Sequence, residues 1–160
     1  MKPTNSLLLY DGSCGLCARS VQFVLRHEGR NRTLRFASLQ GVTGSEIRRR
    51  HPELEGVDSM IWYEPAEDGA EHLLVRSSAT LAVASYLGGI WRVLGAMLRA
   101  VPRAVRDRAY DWIARHRHRF ASETCVIPAL DQRPRFLDLE LSAPTPAFEN
   151  GSKPEPPEES

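Results

Sequence analysis

The sequence predicts an α/β fold, a βαβ(α)ββα core with additional C-terminal helices. Three observations carry that prediction. A run of large apolar residues leads directly into a cysteine pair that opens a helical pattern. Short apolar segments separated by turn residues follow as far as Arg76. Beyond them the apolar period changes to that of amphipathic helices.

The elements are read in order. Leu7, Leu8, Leu9 and Tyr10, bounded by Asn5 and by Asp11-Gly12, form a short strand buried on both faces. Asp11-Gly12-Ser13 is turn chemistry, with Ser13 placed to cap the next helix. From Cys14 onward Val21, Val24 and Leu25 recur at helical spacing, and Gly29 is the C-cap candidate. Residues 33–37 alternate as a second strand, parallel to the first through a right-handed crossover. Residues 41–50 read as a helix capped by Thr43 or Ser45 and ended by Pro52. Residues 57–63 and 70–76 make a hairpin, and Ser77 or Ser78 caps a helix that reaches Leu87. This order is the thioredoxin-like arrangement.

A helical extension follows. Val93, Leu94, Met97, Leu98 and Val101 form one apolar face before Pro102 interrupts the pattern. Val105, Ala109, Trp112, Ile113 and His116 form a second, with His116 read as a core histidine. The other side of that helix carries Arg103, Arg106, Arg108, Arg115, Arg117 and Arg119 among Asp107 and Asp111. It reads as a solvated face with local ion pairs, since no aromatic interleaving marks a nucleic-acid surface. Residues 130–141 run back across the fold with Arg135 and Phe136 as anchors. Residues 142–160 are a disordered tail rich in proline and glutamate. Residues 1–141 are thus one domain, with a core over about 6–88 and the extension over about 90–138.

Composition narrows the function classes. A net charge of +1 excludes strong overall attraction to nucleic acid or acidic membranes. Residues 79–91 are the longest apolar stretch, and Gly88-Gly89 and Arg92 interrupt it, so no integral membrane segment is expected. The apolar stretch after Met1 is too short for a signal-peptide core. Three cysteines, two of them closely spaced, do not build a disulfide framework. A reducing, cytoplasmic setting fits.

The chemistry lies in Cys14 and Cys17. Two thiols three residues apart at a helix N-terminus share its first turn, where unpaired N–H groups and the helix dipole favour a sulfur anion. In such motifs a cysteine pKa falls from about 8.5 to roughly 3.5–7.5. Cys14 is the natural attacking thiolate and Cys17 the resolving thiol. Asp11 is the third candidate catalytic residue, as proton acceptor for Cys17, and its competing role is an Asx-type turn with Ser13. Gly12, Ser13, Asp58 and Ser59 are candidate substrate contacts. Cys125 is read as a small buried hydrophobe, with a third thiol beside the pair as its alternative. Zinc would need four ligands, of which C-x-x-C supplies two, and no metal or organic cofactor is implied.

Asp11-Gly12-Ser13-Cys14-Gly15-Leu16-Cys17 resembles the D-x-x-C-x-x-C signature of the DCC family of predicted thiol–disulfide oxidoreductases, which are thioredoxin-like. Residues 35–40, 58–62, 76–79, 114–120 and 125–128 resemble later family blocks, as do Pro102-Arg103 with Tyr110 and residues 135–137. The likeness covers roughly residues 6–138 and departs at Ser78, where the family often has Asp. It implies protein-disulfide reductase chemistry on a disulfide-containing protein or a small-thiol substrate, with a separate reductant and no nucleic acid. Thioredoxin-like enzymes usually place a cis-proline before the third strand. Here the nearest proline is Pro52, and Val57-Asp58-Ser59 occupies that place. Two other classes stand beside this reading: a redox-inert thioredoxin-like binding module, and a module stabilised by zinc on Cys14, Cys17, Cys125 and a histidine.

Overall fold

The computed structural model describes residues 6–29, 32–65, 69–116 and 129–138. Among them the elements are β1 (Leu7–Tyr10), α1 (Gly15–His27), β2 (Arg35–Ser38), α2 (Val42–Arg50), β3 (Ile61–Pro65), β4 (Glu71–Val75), α3 (Arg76–Leu87), α4 (Gly89–Arg99) and α5 (Arg103–Arg115). The described strands form one mixed sheet in the order β2-β1-β3-β4. β1 and β2 are parallel, β3 is antiparallel to β1, and β4 is antiparallel to β3. This is the thioredoxin-like core that the order of elements predicts.

β1 lies at the centre, and all four of its residues are buried. Their alternation explains the uninterrupted apolar run. Leu8 and Tyr10 join α1 and α3 in one core cluster, while Leu7 and Leu9 join α2 and Leu54 in another. Full burial of each leucine is worth about 1.5–3 kcal/mol, so the sheet is held from both sides.

Several expected boundaries move, for identifiable reasons. The third strand begins at Ile61 rather than residue 57, because the Val57 amide and carbonyl are engaged elsewhere. Its N–H donates to Leu54 O at 3.1 Å and its carbonyl accepts from Arg48 Nη2 at 2.7 Å. Thr43 and Ser45 do not cap α2. Its N-cap is Gly41, and Asp138 supplies the cap from far along the chain. Asp138 Oδ1 accepts from Thr43 N at 3.2 Å and Thr43 Oγ1 at 3.0 Å. A Cβ on Gly41 would lie 2.2 Å from Asp138 Oδ2, so glycine is what admits the carboxylate. Ser77 and Ser78 do not cap α3 either. The helix starts at Arg76, whose φ of 54° is left-handed, and the Ser77 hydroxyl donates to Asp107 of α5.

The returning segment reaches the outer side of β2, and its anchors are those expected. Phe136 bridges to Phe36 and stacks on it with ring centroids 5.0 Å apart. Leu137 N donates to Phe36 O at 2.9 Å. Arg135 Nη2 donates to Glu28 Oε2 at 2.7 Å, and Arg135 Nε to Leu34 O at 2.9 Å.

The extension departs from expectation. Its apolar faces do not pack inward: Ile90 is 63% and Met97 68% exposed on α4, and Val105, Trp112 and Ile113 are exposed on α5. α4 instead meets α3 through Gly95, where an added Cβ would lie 3.0 Å from the Ala84 methyl. α5 meets α3 through polar contacts, Ser77 to Asp107 and Arg76 to Asp111, the latter at 3.5 Å. His116 is not a core histidine. Its ring packs on Trp112 and Nδ1 lies 2.7 Å from Trp112 O on the half-exposed side of the helix. The expected tail and Cys125 lie outside the described residues.

Candidate functional site

The end of β1 delivers the chain into a turn that the sequence writes as Asp11-Gly12-Ser13. Cys14 N donates to Asp11 O at 3.2 Å, closing it. Cys14, not Ser13, is the N-cap of α1, with extended backbone at φ −97° and ψ 113°. Its carbonyl accepts the first helical bond from Ala18 N at 2.9 Å, which puts Cys17 in the first turn. Ser13 turns back instead, and its N and Oγ donate to Asp11 Oδ1 at 3.0 and 2.7 Å.

The Asx-type turn is therefore present. Asp11 Oδ1 takes a third donor, Gln40 Nε2 at 2.9 Å, from just beyond β2. Gln40 Oε1 in turn accepts from Gly12 N at 3.1 Å and from Ser38 Oγ at 2.8 Å. A Cβ on Gly12 would meet Ser38 Oγ at 2.9 Å, so the small residue lets the turn lie against β2. Gln40 thus fixes the backbone ahead of the thiols. Sequence reading singled out no role for it, because its partners lie 28 and 29 residues away.

Cys14 and Cys17 both carry free thiols and are 7% and 8% exposed, within the core cluster that contains Ala18 and Trp62. Burial pushes the Cys17 thiol up to about 12, and the charge of Cys14 and the hydrogen bond between the two sulfurs add to the shift. The charge of Asp11 acts in the same direction, against a backbone hydrogen bond at Asp11 that opposes it. Cys17 therefore holds its proton more tightly than an ordinary thiol.

Ser59 and Tyr110 extend the site. Ser59 is 9% exposed, and its Oγ faces the Tyr110 hydroxyl. Tyr110, from α5, also meets the Met60 backbone; burial holds its pKa above the usual tyrosine range, and the charges of Cys17 and Cys14 act in the same direction. Asp58 is exposed, 3.8 Å from Arg48 Nη2. The structure therefore brings together Asp11, Gly12, Ser13, Cys14 and Cys17, sets Ser59 against Tyr110, and leaves Asp58 exposed. Tyr110 had no signal in the apolar period, because it stands off the stripe formed by Val105, Ala109 and Trp112. A cleft of about 660 Å³ opens beside Ser59 and Tyr110.

The model of the DCC1-like thiol-disulfide oxidoreductase family matches residues 8–123. The chain belongs to this family. A Bacillus subtilis relative, the uncharacterized protein YuxK, is 31% identical over 136 residues, covering 83% of this chain and 94% of that protein. A chloroplastic DCC family protein of Arabidopsis thaliana is 30% identical over 124 residues, covering 76% of this chain and 69% of that protein. No solved structure matches the chain. The matched residues of the family span β1 through α5 and include both thiols, Ser59 and Tyr110.

Among the described residues no group of three or more His, Cys, Asp and Glu side chains is placed to hold a metal ion, and the zinc alternative depends on Cys125, outside them. No helix among them is long and apolar enough to cross a membrane.

Proposed function

We propose that this protein is a thiol–disulfide oxidoreductase that reduces disulfides through Cys14 and Cys17. The observation that carries the reading is the pair itself: two free, buried thiols at the start of α1. Cys14, at the N-cap beside the positive end of the helix dipole, attacks a substrate disulfide as thiolate. A Cys14–substrate disulfide forms and the first substrate thiolate leaves. Cys17 then loses its proton and attacks the Cys14 sulfur. The second substrate thiolate leaves, and a Cys14–Cys17 disulfide remains for a dithiol reductant to recycle.

The electrostatics favour this sequence. Before attack, burial holds the Cys17 proton, and the negative charge that Cys14 takes on as attacking thiolate and its hydrogen bond add to that hold. Once Cys14 is in a mixed disulfide both contributions vanish, and Cys17 ionises more readily. Asp11 serves as the proton acceptor in that step while its Oδ1 keeps the turn in place. Gly12 and Ser13 offer backbone at the rim of the thiols, and Ser59 and Asp58 line the approach from β3. The substrate class is a disulfide-containing protein or small disulfide, in a reducing compartment such as the cytoplasm.

The test is trapping. Cys17→Ser protein is mixed with hydroxyethyl disulfide and weighed intact. A stable adduct on Cys14, absent from wild type, which instead accumulates the Cys14–Cys17 disulfide, is the expected result. Failure of Cys14 to form an adduct would rule the mechanism out.

A further inference from the structure

The two helices of the extension turn their apolar sides away from the protein, and the redox reading gives those sides no role. Eight of the thirteen exposed large apolar side chains among the described residues lie on α4 and α5. On α4 they are Ile90, Val93, Leu94, Met97 and Leu98, spaced as one helical stripe. On α5 they are Val105, Trp112 and Ile113. Apolar surface gathered in this way marks an interaction site, whereas isolated residues such as Leu74 and Leu130 need no explanation.

α3 turns both stripes to the same side. Its Ala79, Val83 and Tyr86 pack into the core, and its Ser77, Leu81 and Ala84 stand on the opposite stripe of the helix. Ser77 meets α5 at Asp107, and Leu81 and Ala84 meet α4 at Gly95. Both helices therefore lie outside α3, and their far sides face away from the sheet.

Charge decides what fits there. Residues 89–115 hold six arginines and only two carboxylates, Asp107 and Asp111. Both carboxylates are engaged. Asp107 accepts from Ser77 and lies 3.3 Å from Arg103 Nε, and Asp111 lies 3.5 Å from Arg76 Nε. α4 has no acidic residue, only Arg92 and Arg99 off its stripe. On α5 the exposed Arg108 and Arg115 flank the stripe of Val105 and Trp112. Neither pairs with a carboxylate among the described residues. A second copy would set these cations against one another, whereas anionic headgroups complement them. The total charge of +1 gives no general attraction, so the attraction comes from this local excess.

We infer that α4 and α5 dock this protein on the surface of a bilayer that carries anionic lipid. Ile90, Met97 and Trp112 enter at the headgroup level, as the apolar face of an interfacial helix does, and Arg108 and Arg115 meet lipid phosphates. The contact is peripheral, since no helix among the described residues is long and apolar enough to cross a membrane. The inference is independent of the redox reading.

The experiment sediments the full chain with vesicles of phosphatidylcholine alone, or of an equal mixture with phosphatidylglycerol. The expected result is binding to the mixed vesicles that weakens as salt is added, and far weaker binding to phosphatidylcholine. Arg108→Gln combined with Arg115→Gln should weaken it about 30-fold, at about fivefold for each charge near the surface. Met97→Glu should also weaken it strongly, whereas Leu130→Glu, the same charge change at an exposed apolar residue outside the extension, should not. Absence of binding, equal binding to both vesicles, or an affinity that ignores the two arginines would overturn the inference. So would a dimer in analytical ultracentrifugation that Met97→Glu dissociates, because the face would then belong to a second copy.

Discussion

The two ends of α1 bury polar groups in opposite ways. At its C-terminal end Glu28 carries a nearly inaccessible carboxylate where the helix dipole disfavours negative charge. Arg135 answers with a two-pronged contact, the Tyr86 hydroxyl donates to Oε2 at 3.1 Å, and the guanidinium lies 5.2 Å from the Phe36 ring centre. Every charge there has its partner. At the N-terminal end, two free thiols are buried with no opposite charge to pair with, the Ser59 hydroxyl faces only that of Tyr110, and the proton on Cys17 is held by burial and by Cys14. A saturated network makes a fixed structure, whereas an unsaturated one keeps reactivity and room for a ligand.

The largest effect should come from breaking the saturated end. Arg135→Met leaves Glu28 buried and unpaired, and urea denaturation should show a loss of about 3–5 kcal/mol. Replacing Glu28 by Gln in the same chain should recover much of it, because the cost lies in the stranded charge. Next is Asp11→Asn, which keeps an oxygen for Ser13 and Gln40 but removes the proton acceptor. Resolution of the Cys14 mixed disulfide should slow by on the order of 100-fold while the first attack is less affected, as stopped-flow exchange would show. An equal loss in both steps would mean that Asp11 only shapes the turn.

Tyr110→Phe should cost about 1–2 kcal/mol of stability, because it strips the hydroxyl facing Ser59 and the Met60 backbone. It should also change the pH dependence of thiol alkylation, a readout that a packing role alone would not move.

The smallest effect belongs to a cluster at neither end. His51 and Tyr63 both hydrogen-bond Glu71, and Arg50 also meets it. Hydrogen bonds to Glu71 and Glu53 raise the His51 pKa, and the bond from His51 lowers that of Glu71. The histidine contribution is complete below its unfolded value of about 6.5 and fades as pH rises through the raised folded value. The Glu71 contribution is complete above about 4.3 and fades as pH falls. His51→Gln should therefore cost most between about pH 4.5 and 6.5, and no more than ~1 kcal/mol near the surface. A cost that is flat across pH would argue against the ion pair.

Much of the fold was legible because β1 and α1 announce themselves locally, in four buried residues and a turn of Asp11-Gly12-Ser13. What was not legible depends on partners distant in sequence. Asp138 caps α2 across 95 residues, and Gln40 reaches the turn before Cys14 from beyond β2. The apolar period of α4 and α5 was correctly read, but its direction was not. Gly95 and the polar contacts of Ser77 with Asp107 decide which side meets α3, and Met97 and Trp112 are left outside. Hydrophobic periodicity assumes that the apolar stripe is the docking face, and here close approach and polar pairing override it. Within the site, Cys14, Cys17 and Asp11 were visible as a motif, whereas Tyr110 comes to Ser59 and the Met60 backbone only through the placement of α5.

The most direct test of the central claim is the redox equilibrium of Cys14 and Cys17. The protein is equilibrated in graded glutathione buffers, alkylated and weighed by mass spectrometry, with Cys14→Ser and Cys125→Ser variants alongside. The account predicts a reversible two-electron transition between roughly −120 and −270 mV that survives in Cys125→Ser and vanishes in Cys14→Ser. Thiols that stay reduced across the whole range, or a transition that persists without Cys14, would contradict it.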